Sequence, residues 1–361
     1  MAKERIEFLS PLRRSFSFCH SLQCHIIIAG CRPKRDGHAG CKSCPDVTYG
    51  IIYTLSFCFY HFVRKIVTRT KKTPKQIDLN YQNSETWSHT DSDTEILHDI
   101  QKRNLMILQD IKRVCNNHKI PFFLAYGTLL GAIRHNDLIP WDDDIDVMMR
   151  RDDFEKFLKV ADDLGTDYRL QEQSTGSDYW TFHAKVRLLR PKPYVDTLIS
   201  HITEDNGLFV DIFIFDYLPK YHSIKQMIMQ YLMEYTRLIL SAKQFGRSSP
   251  QSAIRFLSKL AQLVPLSLIR NLMMWGCTFW NNKDHNFLIC YAAVINHKTA
   301  ILPVETFGVP KQHELAGLTM PVPQDSDFFL KSRYGDYMTP PPEDERTPIH
   351  NFIRCENDNK S

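Results

Sequence analysis

The sequence predicts an α+β domain, a mixed sheet flanked by helices and followed by a helical C-terminal appendage. Three observations carry that prediction. From Thr94 onward, Ile96, Leu97, Ile100, Ile107, Leu108, Ile111, Val114 and Cys115 recur at helical spacing and form one apolar face. Phe122-Phe123-Leu124-Ala125-Tyr126 reads as a buried strand, and Gly127-Thr128 as the turn into a short helix, Leu129 to Arg134. Two later apolar segments, at Ile145 and from Leu208 to Phe215, carry acids inside strand-like runs.

The remaining elements follow in order. Pro121 closes the first helix, since proline cannot donate to an ongoing helical ladder. An acidic strand, Asp144 to Val147, precedes an amphipathic helix from Asp152 to Leu164 with Phe154, Phe157, Leu158 and Ala161 facing inward. Strands are expected at 168–173, 180–189 and 208–215. A mainly helical stretch follows over 222–295, rich in Met, Leu and aromatics, which is the composition of a core rather than of a cofactor box. The Pro-rich tail, 301–350, reads as irregular apart from a short helix at 325–333. No internal repeat is present.

Charge divides the chain. Residues 1–75 carry 14 Lys/Arg against 4 Asp/Glu, and the rest carries 31 against 37. The basic excess therefore lies away from every chemical motif, and no nucleic-acid partner is expected. Residues 1–46 form a basic arm holding Cys31, Cys41 and Cys44, half of a zinc pattern without a clear second ligand couple. Residues 47–63 (VTYGIIYTLSFCFYHFV) contain no Asp, Glu, Lys or Arg, and 17 residues meet the lower bound, about 17, for spanning a bilayer. An uncleaved single-pass anchor is the expected reading, with a buried or membrane-surface helix as its alternative. Arg64, Lys65, Arg69, Lys71 and Lys72 weakly favour a cytoplasmic C-terminal side. Residues 64–93 read as a stem, 94–350 as the catalytic domain and 351–361 as a tail.

The chemistry centres on Trp141-Asp142-Asp143-Asp144-Ile145-Asp146-Val147. Four carboxylates this close repel, and each raises its neighbours' pKa. A hard divalent cation removes the penalty, because carboxylate oxygens are its preferred ligands. On a strand, the alternation puts Asp144 and Asp146 on one face and Ile145 and Val147 on the other. Asp142 and Asp143 then supply supporting charge in the preceding loop. The Gly127-Thr128 turn suits a phosphate: glycine admits close approach, Thr128 adds a hydroxyl, and a helix N-terminus favours negative charge. Asp211, inside Phe209-Val210-Asp211-Ile212-Phe213, is costly unless paired, protonated or metal-bound.

A Gly-Thr turn, an acid-x-acid strand and a third strand acid are the signatures of the nucleotidyltransferase fold. The stretch FLAYGTLLGAIRHNDLIPWDDDIDVMMRRDDFEKF closely resembles the LicD/fukutin family, as do FVDIFIFDYLP and PVPQDSDFFLKSRYGDYMTPPPEDER. The likeness spans roughly residues 95–350. It implies transfer of an alcohol phosphate, such as phosphocholine or ribitol phosphate, from a CDP-activated donor onto a glycan or glycoprotein. Mg²⁺ or Mn²⁺ would be held by Asp144, Asp146 and Asp211, with Gly127 and Thr128 at the donor phosphate. Asp211 either orients or deprotonates the acceptor hydroxyl, or only ligates. Arg134 and Lys185 are further donor-binding candidates, and Tyr334, Asp336 and Arg346 match the family's C-terminal motif near the donor or pocket rim. Trp141 stacks on a base or staples its loop. The resemblance also implies a membrane protein of the Golgi or secretory pathway. Two other readings compete: a nucleotide-sugar glycosyltransferase, and a non-catalytic membrane-bound partner of glycosyltransferases.

Overall fold

The structure, a computed structural model, describes residues 91–172, 179, 181–197, 204–219, part of 229–240, 259–282, 284–292, 301–350 and 352–355. The basic arm, its cysteines, the apolar run at 47–63 and nearly all of the expected stem lie outside the described residues.

Helix α1 (Asp91–Asn117) buries Leu97, Ile100, Ile107, Leu108, Ile111, Val114 and Cys115, the face its periodicity predicts. Each such side chain contributes about 1.5–3 kcal/mol when fully withdrawn from water. Then come β1 (Phe123–Leu124), α2 (Tyr126–His135), β2 (Asp146–Arg150), α3 (Arg151–Lys159), β3 (Tyr168–Gln171), β4 (Ala184–Leu188), β5 (Tyr194–Asp196) and β6 (Phe209–Leu218). A 3-10 turn, Ala161–Leu164, replaces the last turn expected of α3. Phe154 and Phe157 of α3 are buried as expected, whereas Leu158 is exposed.

The main sheet runs β1-β2-β6-β4-β3. Only β2 and β6 are parallel to one another among these neighbours; the other pairs are antiparallel. Strand β6 is long enough to change partners along its length, pairing with β4 and β2 near Asp211 and with β7 (Phe287–Ile289) from Asp216 to Leu218. That change of partner curls the sheet, and β8 (Ile301–Pro303) extends it beyond β7.

Among the described residues the C-terminal part is mixed and not clearly helical, and 220–228 and 241–258 of the expected helical stretch lie outside them. Helical residues do occur between 229 and 240 and at 259–262, and α4 spans Leu266–Thr278. After them come β7, β8, a hairpin of β9 (Lys311–Leu315) with β10 (Leu318–Val322), α5 (Ser326–Tyr334) and β11 (Phe352–Arg354), which pairs with β5. The Pro-rich tail is thus more ordered than its composition predicts. Strand β8 gains its hydrogen bonds from distant β7, whereas β9 and β10 pair with each other across a two-residue turn.

Candidate active site

The turn that begins α2 is built around one carboxylate. Ala125 is extended (φ −129°), while Tyr126 has φ +38°, a left-handed value that costs a non-glycine residue about 1–3 kcal/mol. The strain is held by stitching to β2: the Ala125 amide donates to the Asp146 carbonyl at 3.0 Å. The Asp146 amide donates to Thr128 Oγ1 at 2.8 Å, and the Gly127 amide to Asp146 Oδ2 at 3.3 Å. A Cβ on Gly127 would lie 2.6 Å from Asp142 Oδ2, so any side chain there has to displace the Asp142 carboxylate. Gly127 and Thr128, expected at a donor phosphate, accordingly engage Asp146. Gly131 has a packing role, since a Cβ would stand 2.6 Å from the Asp137 carbonyl oxygen.

Strand register assembles the rest. Asp146 pairs with Asp211 across β2 and β6, and Asp211 pairs with Lys185 across β6 and β4. Cross-strand partners project to the same sheet face, so three charged side chains stand in one row. Asp144 joins from the loop ahead of β2. One carboxylate oxygen from each of Asp144, Asp146 and Asp211 lies within 4.8 Å of the others. Ile145 and Val147 are fully buried on the opposite side, as the alternation predicts.

The charges in this cluster are unequally balanced. Lys185 Nζ donates to Asp211 Oδ1 at 2.5 Å and sits 3.4 Å from the Phe209 ring centroid. Burial pushes the Asp211 carboxyl up, but Lys185 and then His183 outweigh it and hold it below the ordinary carboxylate value. Asp146 is held well above that value by burial and by Asp144, Asp211 and Asp142. Asp144 is also raised, burial leading, with His350 opposing. Asp211 thus has an internal counter-ion, while Asp144 and Asp146 share a deficit of positive charge. An all-oxygen donor set with that deficit fits Mg²⁺ or Mn²⁺.

The loop holding Asp142 to Asp144 is gripped from two directions. Gln101 of α1 donates to the carbonyls of Ile139 (3.1 Å) and Asp142 (2.8 Å), and Asn104 to that of Asp143 (3.0 Å). From the C-terminal end, the His350 amide and Nδ1 approach Asp143 at 2.8 and 3.1 Å. Asp143 therefore anchors the segment leading into β11. Asp142 stays beside Gly127, its carboxyl pushed well up by burial and by Asp144 and Asp143.

The outer candidates divide. Arg134 Nη1 donates to the Tyr337 carbonyl at 3.0 Å, and its guanidinium lies 6.0 Å from the Trp141 ring. Arg346 approaches the same ring at 5.1 Å, so Trp141 joins both cations to its loop. Tyr334 ends α5; burial and the nearby Asp146 raise its phenol, which places it electrostatically at the acids. Asp336 is exposed and accepts from Thr339 Oγ1 at 2.7 Å, tying a turn.

Two histidines were not foreseen. His183 Nε2 is 3.5 Å from Asp211 Oδ1, and burial lowers its ring to about 4 despite that carboxylate. His350 is raised, because its bond to Asp143 and the charge of Asp144 overcome the burial that would lower it. Neither lies in a local pattern, so only strand register and the returning C-terminal segment reveal them.

Residues 119–241 match the LicD/FKTN/FKRP nucleotidyltransferase domain, a span that contains Gly127, Thr128, Arg134, Asp144, Asp146, Lys185 and Asp211. The chain is 28% identical over 254 residues to the lipopolysaccharide cholinephosphotransferase LicD of Haemophilus influenzae, covering 68% of this chain and 92% of that protein. An uncharacterised protein of Rickettsia typhi is 29% identical over 116 residues, 31% of this chain and 32% of its own length. One from Rickettsia prowazekii is 24% identical over 118 residues, 32% and 40% respectively.

Proposed function

For a chain that carries this domain and is a LicD-family transferase of phosphorus-containing groups, we propose metal-dependent transfer of an alcohol phosphate from a CDP-activated donor to a glycan. The observation that carries the reading is the convergence of Asp144, Asp146 and Asp211 within 4.8 Å, where Lys185 bonds Asp211 and His350, 3.9 Å from Asp144, does too little to keep Asp144 and Asp146 from being raised. The Haemophilus relative's name supports phosphocholine as one cargo and lipopolysaccharide as one acceptor type.

In this reading Asp144, Asp146 and Asp211 hold Mg²⁺ or Mn²⁺. That ion, when bound, neutralises the donor diphosphate and the developing charge on its leaving oxygen. The acceptor hydroxyl oxygen forms a bond to the phosphorus bearing the alcohol, the anhydride bond breaks, CMP departs, and the hydroxyl proton passes to water. Lys185 keeps Asp211 ionised but also makes it a weak base, which favours orienting the hydroxyl over deprotonating it. Gly127 and Thr128 fix Asp146, and Arg134 and Arg346 offer positive charge beside Trp141 for donor oxygens. Tyr334 feels the charge of Asp146 and Asp142, and Asp336 ties the turn beyond it.

The same proposal takes residues 94–350 as the catalytic domain, 64–93 as a stem and 47–63 as a single-pass anchor in a Golgi or secretory membrane. The uncharged apolar run and its basic flank support the anchor. Among the described residues no helix is long and apolar enough to cross a membrane.

The test incubates the purified full chain with CDP-choline, CDP-ribitol, CDP-glycerol and UDP-sugars, each with Mg²⁺, Mn²⁺ or chelator, and follows nucleotide release. Release of CMP that needs the metal and vanishes in Asp146→Asn is expected. Turnover that ignores both chelator and Asp146→Asn would sink the assignment, and turnover of UDP-sugars alone would make the protein a sugar transferase.

A further inference from the structure

His183 Nε2 is withdrawn from solvent and has no hydrogen-bond partner among the described residues. Such an orphan is uncommon, because burying a polar atom without a partner is costly. The residue is held firmly all the same. Its carbonyl accepts from the Tyr179 hydroxyl and, at 3.0 Å, from Thr181 Oγ1. Its ring lies against that of Phe213, with centroids 5.1 Å apart and planes 31° apart. His183 stands two residues before Lys185, and Phe213 two residues after Asp211, so this contact extends the Lys185–Asp211 pair by one step of the strand period.

Nε2 faces Asp211 Oδ1 at 3.5 Å, a few tenths of an ångström beyond the usual hydrogen-bond range of about 2.7–3.2 Å. The ring is neutral, since burial outweighs the pull of that carboxylate. A neutral imidazole carries one N–H and a carboxylate only accepts, so Asp211 selects the tautomer protonated at Nε2. Lys185 Nζ bonds the same oxygen at 2.5 Å. A carboxylate oxygen has two lone-pair directions, and Lys185 and His183 between them take up both. Oδ1 is therefore the held oxygen, and Oδ2 is left to ligate. Carboxylates that bind a metal are commonly fixed from behind by partners of this kind.

We propose that His183 is a positioning residue for Asp211: its Nε2–H closes onto Oδ1 alongside Lys185 and turns Oδ2 toward a divalent cation held with Asp144 and Asp146. This role rests on the metal assignment in the proposed function and adds to it a residue outside the three acids.

The experiment titrates the metal-free full chain with Mn²⁺ and follows free ion by its electron paramagnetic resonance signal. His183→Phe keeps a ring against Phe213 but removes Nε2, whereas His183→Gln returns an amide N–H near the same place. Mn²⁺ affinity is expected to fall about 10–100-fold in His183→Phe and to recover in large part in His183→Gln. Without metal, His183→Phe should melt no lower than wild type, because Nε2 makes no bond there. Equal affinity in wild type and His183→Phe would overturn the positioning role. Equal weakness of the two variants, or a metal-free His183→Phe that melts well below wild type, would assign the ring to packing and overturn it too. A ¹⁴N coupling in the electron spin echo modulation of bound Mn²⁺ that His183→Phe abolishes would make His183 a direct ligand, with the same consequence. A wild type that binds no Mn²⁺ at all would be the failure of the metal site itself, and the positioning role falls with it.

Discussion

Removing one carboxylate from the acidic cluster should stabilise the metal-free protein while abolishing its response to metal. Asp146→Asn is the informative change, because Asp146 lies near both Asp144 and Asp211 and its carboxyl is held well above the ordinary value of 3.8. At the 4.8 Å limit of the cluster and an effective dielectric constant of about 20, each ionised pair repels by about 3.5 kcal/mol. Lys185 offsets the Asp211 share, and partial protonation lowers the remainder, which leaves a net relief of roughly 2–3 kcal/mol. Loss of the long Gly127 amide bond to Asp146 takes back at most about 1 kcal/mol. In a domain of this size, 1 kcal/mol shifts Tm by about 2–4 °C, so Asp146→Asn in chelator should melt several degrees above wild type. Carboxyls raised in the folded state stabilise most below the unfolded value, and that stability is lost as pH rises through the folded one. The metal-free wild type should therefore be more stable near pH 5 than near pH 8, and Mn²⁺ should narrow the gap. Thermal denaturation with and without metal at both pH values measures all of this. A variant that melts lower than wild type in chelator, yet gains as much from Mn²⁺, would refute the reasoning.

Three further outcomes are expected. Asp216→Ala leaves Arg151 buried without the two 2.9 Å bonds it now makes, which should cost about 3–5 kcal/mol in a denaturant titration, whereas Asp211→Asn should leave the midpoint much closer to wild type while removing CMP release. Lys185→Met removes the group that depresses Asp211, so the acidic limb of the metal-dependent pH–rate profile should move to higher pH; an unmoved limb would mean Asp211 does not need to be ionised. Asp143→Ala removes the acceptor of the His350 amide and ring, and hydrogen exchange at Ile349 and His350 should rise by about tenfold or more, consistent with the loss of one or two bonds to a carboxylate.

The two acids of β6 mark the boundary of what local sequence can reveal. Asp211 and Asp216 both interrupt an apolar strand, and their spacing of five puts them on opposite faces. One enters the acidic row and the other closes on Arg151. Nothing within the strand distinguishes them, since the distinction depends on which strand and helix arrive at each face. The same limit hid His183 and His350, and it hid β5, β7 and β8, short segments completed by strands distant in the chain.

Periodicity and turn chemistry were sufficient, from the chain alone, for α1, the strand–turn–helix at Tyr126, the alternation at Asp144 to Val147 and the strand around Asp211. Those features arise within a few residues, where backbone geometry and side-chain spacing are coupled directly. Parallel pairing of β2 with β6, and antiparallel pairing of β6 with β4 on its other edge, then set Asp146, Asp211 and Lys185 in one row. That long-range pairing also made Lys185 the counter-ion of one acid and left Asp144 and Asp146 in need of a cation, because electrostatic balance depends on distances between segments that are far apart in the chain.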